Sequence, residues 1–269
     1  MKRYIYIIVF IFIFTSCKYE KPAYRFSNFH GTSAENIAKA IEEEDIKIIR
    51  KEILQKKVNV DFEDEKYEVS LLTLALANNK KKAFEELLNL GANPNIENKS
   101  CISPLISAIR NNKDCDLFFI KKLLNNGASI NPEFFKKCNY FTNDPIVETI
   151  NYYIEEKQIK CGLEILKILA SKFNKEDLLY IYNDSRDYQA NVVYNCLSTH
   201  KNLIALKYLI IDLKYKVPEK IFIDGTVLLN NHGFKSLREI LESNEFVFNN
   251  SPYREKAKKE ILKYLKKSN

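Results

Sequence analysis

The chain has 269 residues, 46% of them hydrophobic and 29% charged, with 6 Gly, 7 Pro and 6 Cys. That length holds one large domain or two small ones, and that balance supports a buried core and excludes long disordered tracts. So few turn residues argue against an all-β chain, six cysteines are too sparse for a disulfide scaffold, and the formal charge of +7 is mild but unevenly placed.

The chain opens with Lys2 and Arg3, an apolar run from Tyr4 to Phe14, and then Thr15-Ser16-Cys17. A basic start, a short apolar stretch and small residues at its end predict an export signal over 1–16. The run of about 11 residues is shorter than the ~20 that span a bilayer. Phe14-Thr15-Ser16-Cys17 resembles the lipobox of bacterial lipoproteins, with Phe14 where an aliphatic residue is usual. The resemblance implies cleavage before Cys17 and lipidation of Cys17, with palmitate among the acyl groups. An ordinary cleaved signal and an uncleaved anchor are the alternatives. Removal of 1–16 takes away two cations and leaves 40 − 35 = +5. Residues 17–33 carry no periodicity and read as the lipidated N-terminus and a tether.

Residues 34–250 read as one repeat domain. Ile37–Ile41 and Ile46–Leu54 predict a first helix pair, followed by Val58-Asn59-Val60-Asp61. Two segments then align. Ser70-Leu71-Leu72-Thr73-Leu74-Ala75 leads through Asn78-Asn79 to Leu87-Leu88-Asn89-Leu90-Gly91-Ala92-Asn93-Pro94-Asn95. Ser103-Pro104-Leu105-Ile106-Ser107-Ala108 leads through Asn111-Asn112 to Leu123-Leu124-Asn125-Asn126-Gly127-Ala128-Ser129-Ile130-Asn131. The clearest repeats are therefore 67–98 and 100–131, with extra residues near Asp114-Cys115-Asp116.

The chemistry of these positions is local. Ser70 and Ser103 suit helix N-caps, and Pro104 suits the first helical turn. Asn79 and Asn112 suit a left-handed residue between two helices, and Gly91 and Gly127 suit the same conformation after the second. Ala75 and Ala108 permit close helix approach. Phe84, Leu87 and Leu88 share one face, and Lys81–Glu85 and Lys82–Glu86 are expected as i,i+4 pairs on the exposed side.

Beyond the repeats, the stretch 131–143 is longer than a hairpin loop. Asp144-Pro145 starts a helix, followed by an apolar one over Leu163–Leu169. Val192–Cys196 pairs with Leu203–Ile211, and Val227–Leu229 with Leu237–Leu241. Ser251-Pro252 then starts a last, basic helix over 251–269. Arg254–Lys267 holds seven cations and two anions, a net of +5 that equals the whole mature excess.

Ser-Pro-Leu-x-x-Ala, a Leu-Leu pair and Gly-Ala-x-x-Asn, recurring at about 33 residues, resemble the ankyrin repeat. Leu71 replaces the usual Pro in the first segment, and neither segment has the usual His. The fold this implies is all-α: an ankyrin-like helical repeat solenoid of about six helix pairs with short hairpin loops and a C-terminal capping helix. The resemblance also implies protein–protein binding on a concave surface. By family position the contact residues are Tyr67, Glu68, Val69, Asn78, Ser100, Ile102, Ser107, Arg110 and Asn111. Tyr67 and Arg110 are the residue types that most often anchor interfaces. Tyr152 and Tyr153 are adjacent aromatics, one expected to pack and one to face out.

No catalytic motif is found. The three histidines His30, His200 and His232 have no metal-ligand spacing, and Ser185, Asp187 and His200 form no more than a chance triad. Glu42-Glu43-Glu44-Asp45 reads as a solvated helix end. No enzyme activity, cofactor or metal is expected. Cys161 and Cys196 fall in helical patterns and read as core, whereas Cys101, Cys115 and Cys138 fall in loops where a bridge is possible. The expectation is a monomeric, membrane-tethered ankyrin-repeat protein of the bacterial envelope facing the periplasm. It would either neutralise a toxin or scaffold a periplasmic partner. The alternative is a structural lipoprotein touching anionic lipid or cell-wall polymer through its basic C-terminal helix. Nucleic acid is not expected as a partner. Lys18 lacks the acidic character that retains some lipoproteins at the inner membrane, which leans toward the outer one.

Overall fold

The computed structural model describes residues 22–112, 114–130, 145–152, 156–172, 192–197, 202–214, 217, 219–223, 233–243 and 251–267. The helices follow the apolar periodicity. They are α1 (Glu35–Glu43), α2 (Ile46–Arg50), α3 (Leu71–Ala77), α4 (Lys81–Asn89), α5 (Pro104–Asn111), α6 (Phe118–Asn125), α7 (Pro145–Tyr152), α8 (Glu156–Ala170), α9 (Val192–Leu197), α10 (Leu203–Lys207), α11 (Leu237–Glu242) and α12 (Pro252–Lys267). Wider π-helical turns extend α2 over Lys51–Gln55 and α10 over Tyr208–Asp212.

The cap chemistry is as the residues require. Ser70 Oγ accepts from Thr73 N–H, Ser103 Oγ accepts from Ile106 N–H, and Pro104 opens α5. Asn79 adopts φ 56°, and Gly91 and Gly127 adopt φ 91° and 85°, the left-handed conformation that ends a helix. Asn112 departs from expectation. It sits at φ −81°, ψ 71° and is buried, and the left-handed residue is Cys115 at φ 56°. The extra residues between α5 and α6 move the chain reversal downstream.

Helices in consecutive pairs stack in two layers. In one, α1, α3, α5, α7 and α9 lie side by side; in the other, α2 meets α4, α8 meets α10, and α10 meets α12. Each helix of a pair also packs on its partner. The core runs unbroken between the layers, from Phe29, Ile37 and Ile41 through Phe84, Leu105 and Ile109 to Leu206, Ile240 and Ile261. The last helix closes the second layer through Ala257 and Ile261.

Two features lie outside the simple repeat. A two-stranded antiparallel ribbon, β1 (Ile221–Ile223) with β2 (Gly233–Lys235), pairs Phe222 with Phe234 ahead of α11. Val227–Leu229, expected as a helix, lies outside the described residues. So do the loop 131–143, Tyr153 and the segment 1–21 with Cys17. The expected tether is partly folded. Pro22–Tyr24 and Phe26–Phe29 form 3₁₀ turns, held by the Asn28 amide donating to the Pro22 and Ala23 carbonyls. Phe29 is fully buried and meets Phe62 at 6.1 Å between ring centres. Apolar Ala23, Tyr24, Phe26 and Phe29 win over the absence of periodicity, because they bury against an otherwise exposed end of the stack.

Candidate partner-binding surface

Ahead of α3 and α5 the chain folds into two short fingers. In the first, Glu63 bridges Ser70, Asp64 N–H donates to the Val69 carbonyl (3.1 Å), and Leu71 N–H donates to the Phe62 carbonyl (3.1 Å). The organiser is Asp64, 1% exposed, whose carboxylate accepts from Lys66, Tyr67 and Val69 N–H at 2.8–3.1 Å. In the second finger, Asn98 plays this part and accepts from Ser100 and Ile102 N–H at 2.9 and 3.1 Å. The turns are completed by Glu68 (φ 53°) and Cys101 (φ 58°), both left-handed. Lys99 N–H donates to the Tyr67 carbonyl (3.1 Å) and joins the fingers.

Polar clamps repeat at the other loops. Asp61 accepts from Asn93 N–H (2.8 Å). One repeat later Asn95 accepts from Ser129 N–H (2.6 Å) and donates to the Gly127 carbonyl (3.0 Å). The Asn of Gly-Ala-x-x-Asn thus holds the next pair in register. Ion pairs step along the stack in the same way: Arg50–Glu86 (2.7 Å), Lys81–Asp116, Glu85–Lys122, Arg110–Glu148 (2.6 Å) and Lys207–Glu260 (2.6 Å). The expected Lys81–Glu85 and Lys82–Glu86 pairs within α4 are therefore corrected. Glu86 is 5% exposed and faces the preceding pair, so its charge is met by Arg50 instead. The acidic run 42–45 also serves as caps: Asp45 accepts from Lys47 and Ile48 N–H, and Glu44 accepts from Lys82 N–H.

The expected contact residues divide. Tyr67, Glu68 and Ser100 stand on the fingers, Glu68 and Ser100 exposed and Tyr67 half-buried beneath the Lys66 ammonium, 4.9 Å from its ring centre. Ile102 and Asn111 are half-buried. Val69 is not a contact residue: it is fully buried at the finger base. Ser107 is 2% exposed, and its hydroxyl finds no hydrogen-bond partner among the described residues. Arg110 is committed to Glu148 through two hydrogen bonds at 2.6 and 2.9 Å. Its guanidinium neutralises a carboxylate that is 6% exposed, so Arg110 ties α5 to α7 instead of waiting for a partner. Asn78 donates to the Tyr24 carbonyl (2.9 Å) and the Leu74 carbonyl (3.0 Å). The folded N-terminal segment therefore covers the end of α3.

What remains available is the finger edge. Its first tip is acidic, with Glu63, Glu65 and Glu68 exposed around Lys66. Partial desolvation of the Glu63 carboxyl at the finger base, then Glu68, Asp61 and Asp64, hold it above its ordinary value although the residue as a whole is exposed. Asp64 and Asn98 escaped the sequence reading, although an Asx residue five or six places before each cap serine was a usable signal.

The cysteine reading is corrected in part. Cys161 is buried, but it is bridged to Cys115 (Cα–Cα 5.5 Å) across the α5–α6 loop and α8. Cys101 is also disulfide-bonded. Cys196 is a buried free thiol whose pKa is pushed far up by burial. Among the described residues no group of three or more His, Cys, Asp or Glu is placed for a metal ion, and no helix is long and apolar enough to cross a membrane. Cys138, Ser185, Asp187, His200 and His232 lie outside the described residues. A gap of about 10 Å³ between α7, α8 and α10, near Thr149 and Asn202, has room for no more than one water.

The overall fold is shared with a solved structure. A crystal structure of EF0377, an ankyrin repeat protein, matches at TM-score 0.50 and 14% identity, over 86% of this chain and 96% of that one. The fold is an ankyrin-repeat solenoid. The human ASB11 ankyrin repeat domain matches at TM-score 0.43 and 18% identity, over 66% of this chain and 68% of that one. No model of a known protein family matches the sequence, and no curated protein matches it either. Ser70 and Ser103 cap α3 and α5, while Glu68 and Cys101 take the left-handed conformation in the fingers.

Proposed function

We propose that the chain is a non-catalytic, monomeric binding scaffold that takes one partner protein along its finger edge. The observation that carries this is the stacked pair of fingers, in which buried Asp64 and half-buried Asn98 fix the backbone of exposed tips. A rigid edge loses little conformational freedom when it binds. The acidic first tip favours a partner with a basic surface, and like charge would repel acidic ones. The binding set is revised to Tyr67, Glu68 and Ser100, with Ile102 and Asn111 at its margin.

The test is crosslinking of the tagged full-length protein in cells, followed by mass spectrometry, with a Glu65→Lys/Glu68→Lys variant beside it. The expected result is one stoichiometric partner, recovered at least tenfold less with the variant. A partner captured equally by both proteins would overturn the finger edge as the site.

The proposed setting is the bacterial envelope, with a lipid on Cys17 and the solenoid facing the periplasm, at the outer membrane. The lipobox resemblance supports this. So do the Cys115–Cys161 bridge and the bonded Cys101, since disulfides persist in oxidising compartments. Toxin neutralisation and periplasmic scaffolding are the two tasks proposed for such a binder, and the captured partner decides between them. Palmitate labelling of wild type and its loss in Cys17→Ala tests the anchor.

A further inference from the structure

The far end of the solenoid carries a second surface. Along α12 the exposed positions are Pro252, Tyr253, Lys256, Lys259, Lys263, Lys266 and Lys267. At 100° per residue the five lysines fall within an arc of about 100°, on the side away from buried Ala257 and Ile261. They span about 16 Å of helix at 1.5 Å per residue. The row borders a shallow depression of about 470 Å³, lined by Pro252, Glu255, Lys256, Lys259, Glu260 and Lys263. Of the two carboxylates beside the row, Glu260 is taken by Lys207 of α10 at 2.6 Å, and Glu255 stands in the first turn of α12. Tyr253, 64% exposed, stands at the start of the row.

We infer that this face of α12 rests on an anionic phospholipid surface. The residue types select that partner over an acidic protein. Protein interfaces are depleted in lysine and depend on buried aromatic or arginine anchors. The row has five lysines, no arginine and a single aromatic at its edge. Lysine is a hydrated point charge that suits a field of mobile phosphates better than fixed bidentate partners. Tyrosine sits readily at headgroup depth. The segment Arg254–Lys267 as a whole carries a net +5 against +7 for the chain, so the attraction is local to this end of the molecule. The inference does not depend on the finger edge or on Cys17.

The test is flotation of the full chain with vesicles of phosphatidylcholine alone and of phosphatidylcholine with 30% phosphatidylglycerol. The difference between the two vesicles cancels the apolar contribution of the N-terminus, and the lysine variants separate the row from the charges of Lys2 and Arg3. Lysines near an anionic surface contribute about 1 kcal/mol each. Lys256→Gln/Lys259→Gln/Lys263→Gln is therefore expected to lower the preference for anionic vesicles about a hundredfold. The corresponding triple Arg variant should keep it, and 0.5 M salt should abolish it. These side chains are exposed, so both variants should melt with wild type. Equal binding to the two vesicles, or a Gln variant that keeps the preference, would overturn the inference. So would lysine-dependent capture by poly-glutamate with no vesicle preference, which would assign the face to an acidic polypeptide.

Discussion

Glu68 and Glu63 show how the finger tip is held against its own preferences. Glu68 sits at φ 53°, a conformation that brings its Cβ against the following carbonyl and is easy only for glycine. Glu68→Gly should therefore stabilise the protein by about 0.5–1 kcal/mol, despite the entropy that glycine adds to the unfolded chain. A thermal melt should rise by ~2–4 °C for a gain of ~1 kcal/mol; an unchanged or lower midpoint would show the finger to be unstrained. Glu63 makes a prediction in pH. Its carboxyl lies above the ordinary 4.5 because partial desolvation, and then Glu68, Asp61 and Asp64, disfavour the anion. The folded state thus holds this proton more tightly than the unfolded chain. Stability from this group is highest when it is protonated, and falls as pH rises from 4.5 through the raised value. Glu63→Gln should flatten that part of the pH–stability curve and make the protein more stable at neutral pH. Parallel urea titrations at pH 4, 5, 6 and 7 give the comparison; curves that stay parallel between variant and wild type would refute the assignment.

At the scale of elements, the third and fourth helix pairs are joined by covalent chemistry as well as packing. Cys115 in the α5–α6 loop and Cys161 in α8 close a loop with a sequence separation of 46. Loops of this size are stabilised by about 2–4 kcal/mol, by restriction of the unfolded chain. Cys115→Ala/Cys161→Ala should lose about that much, with the largest gain in hydrogen exchange in α5–α8. Exchange rising evenly across the chain would mean that the bridge does not act locally. Neither bridged cysteine could be paired from the sequence, because Cys161 sits in an apolar helical pattern that looks like core. The helices themselves were legible. Ser-Pro-Leu-x-x-Ala, the Leu-Leu pairs and the two Gly-Ala turns encode local geometry at fixed spacing, and α3 to α6 follow from them. The contact surface was less legible, because exposure depends on what the neighbouring pair brings. Arg110 reads as an anchor until Glu148, 38 residues away, claims it. Val69 reads as a finger residue until the finger closes over it. The N-terminal turns and the β1–β2 ribbon have no repeat to announce them. Only burial of Phe29 and the register of Phe222 against Phe234 show that they are formed.

For the whole molecule, the stack is linear, so stability is carried by the interfaces between neighbours. Those interfaces are not alike. Between the first and fourth pairs they combine apolar burial with Arg50–Glu86, Arg110–Glu148, the Asp61 and Asn95 clamps and the disulfide. Arg110–Glu148 is the tie most open to test, because it crosses from α5 to α7 with little solvent about the carboxylate. Arg110→Ala leaves that charge buried without its partner, and breaking a buried pair costs about 3–5 kcal/mol. Arg110 is itself about a quarter exposed (side chain 27%), which places the expected loss near the lower end. Because the loss falls on one interface, it should separate the stack instead of lowering one global transition. Urea unfolding followed by probes in α3 and in α10 should coincide in wild type more closely than in the variant. In Arg110→Ala the α10 probe should unfold first and the α3 probe nearly as before. If both probes shift together by the same amount, the pairs are coupled more strongly than a nearest-neighbour stack allows, and the solenoid behaves as one cooperative unit.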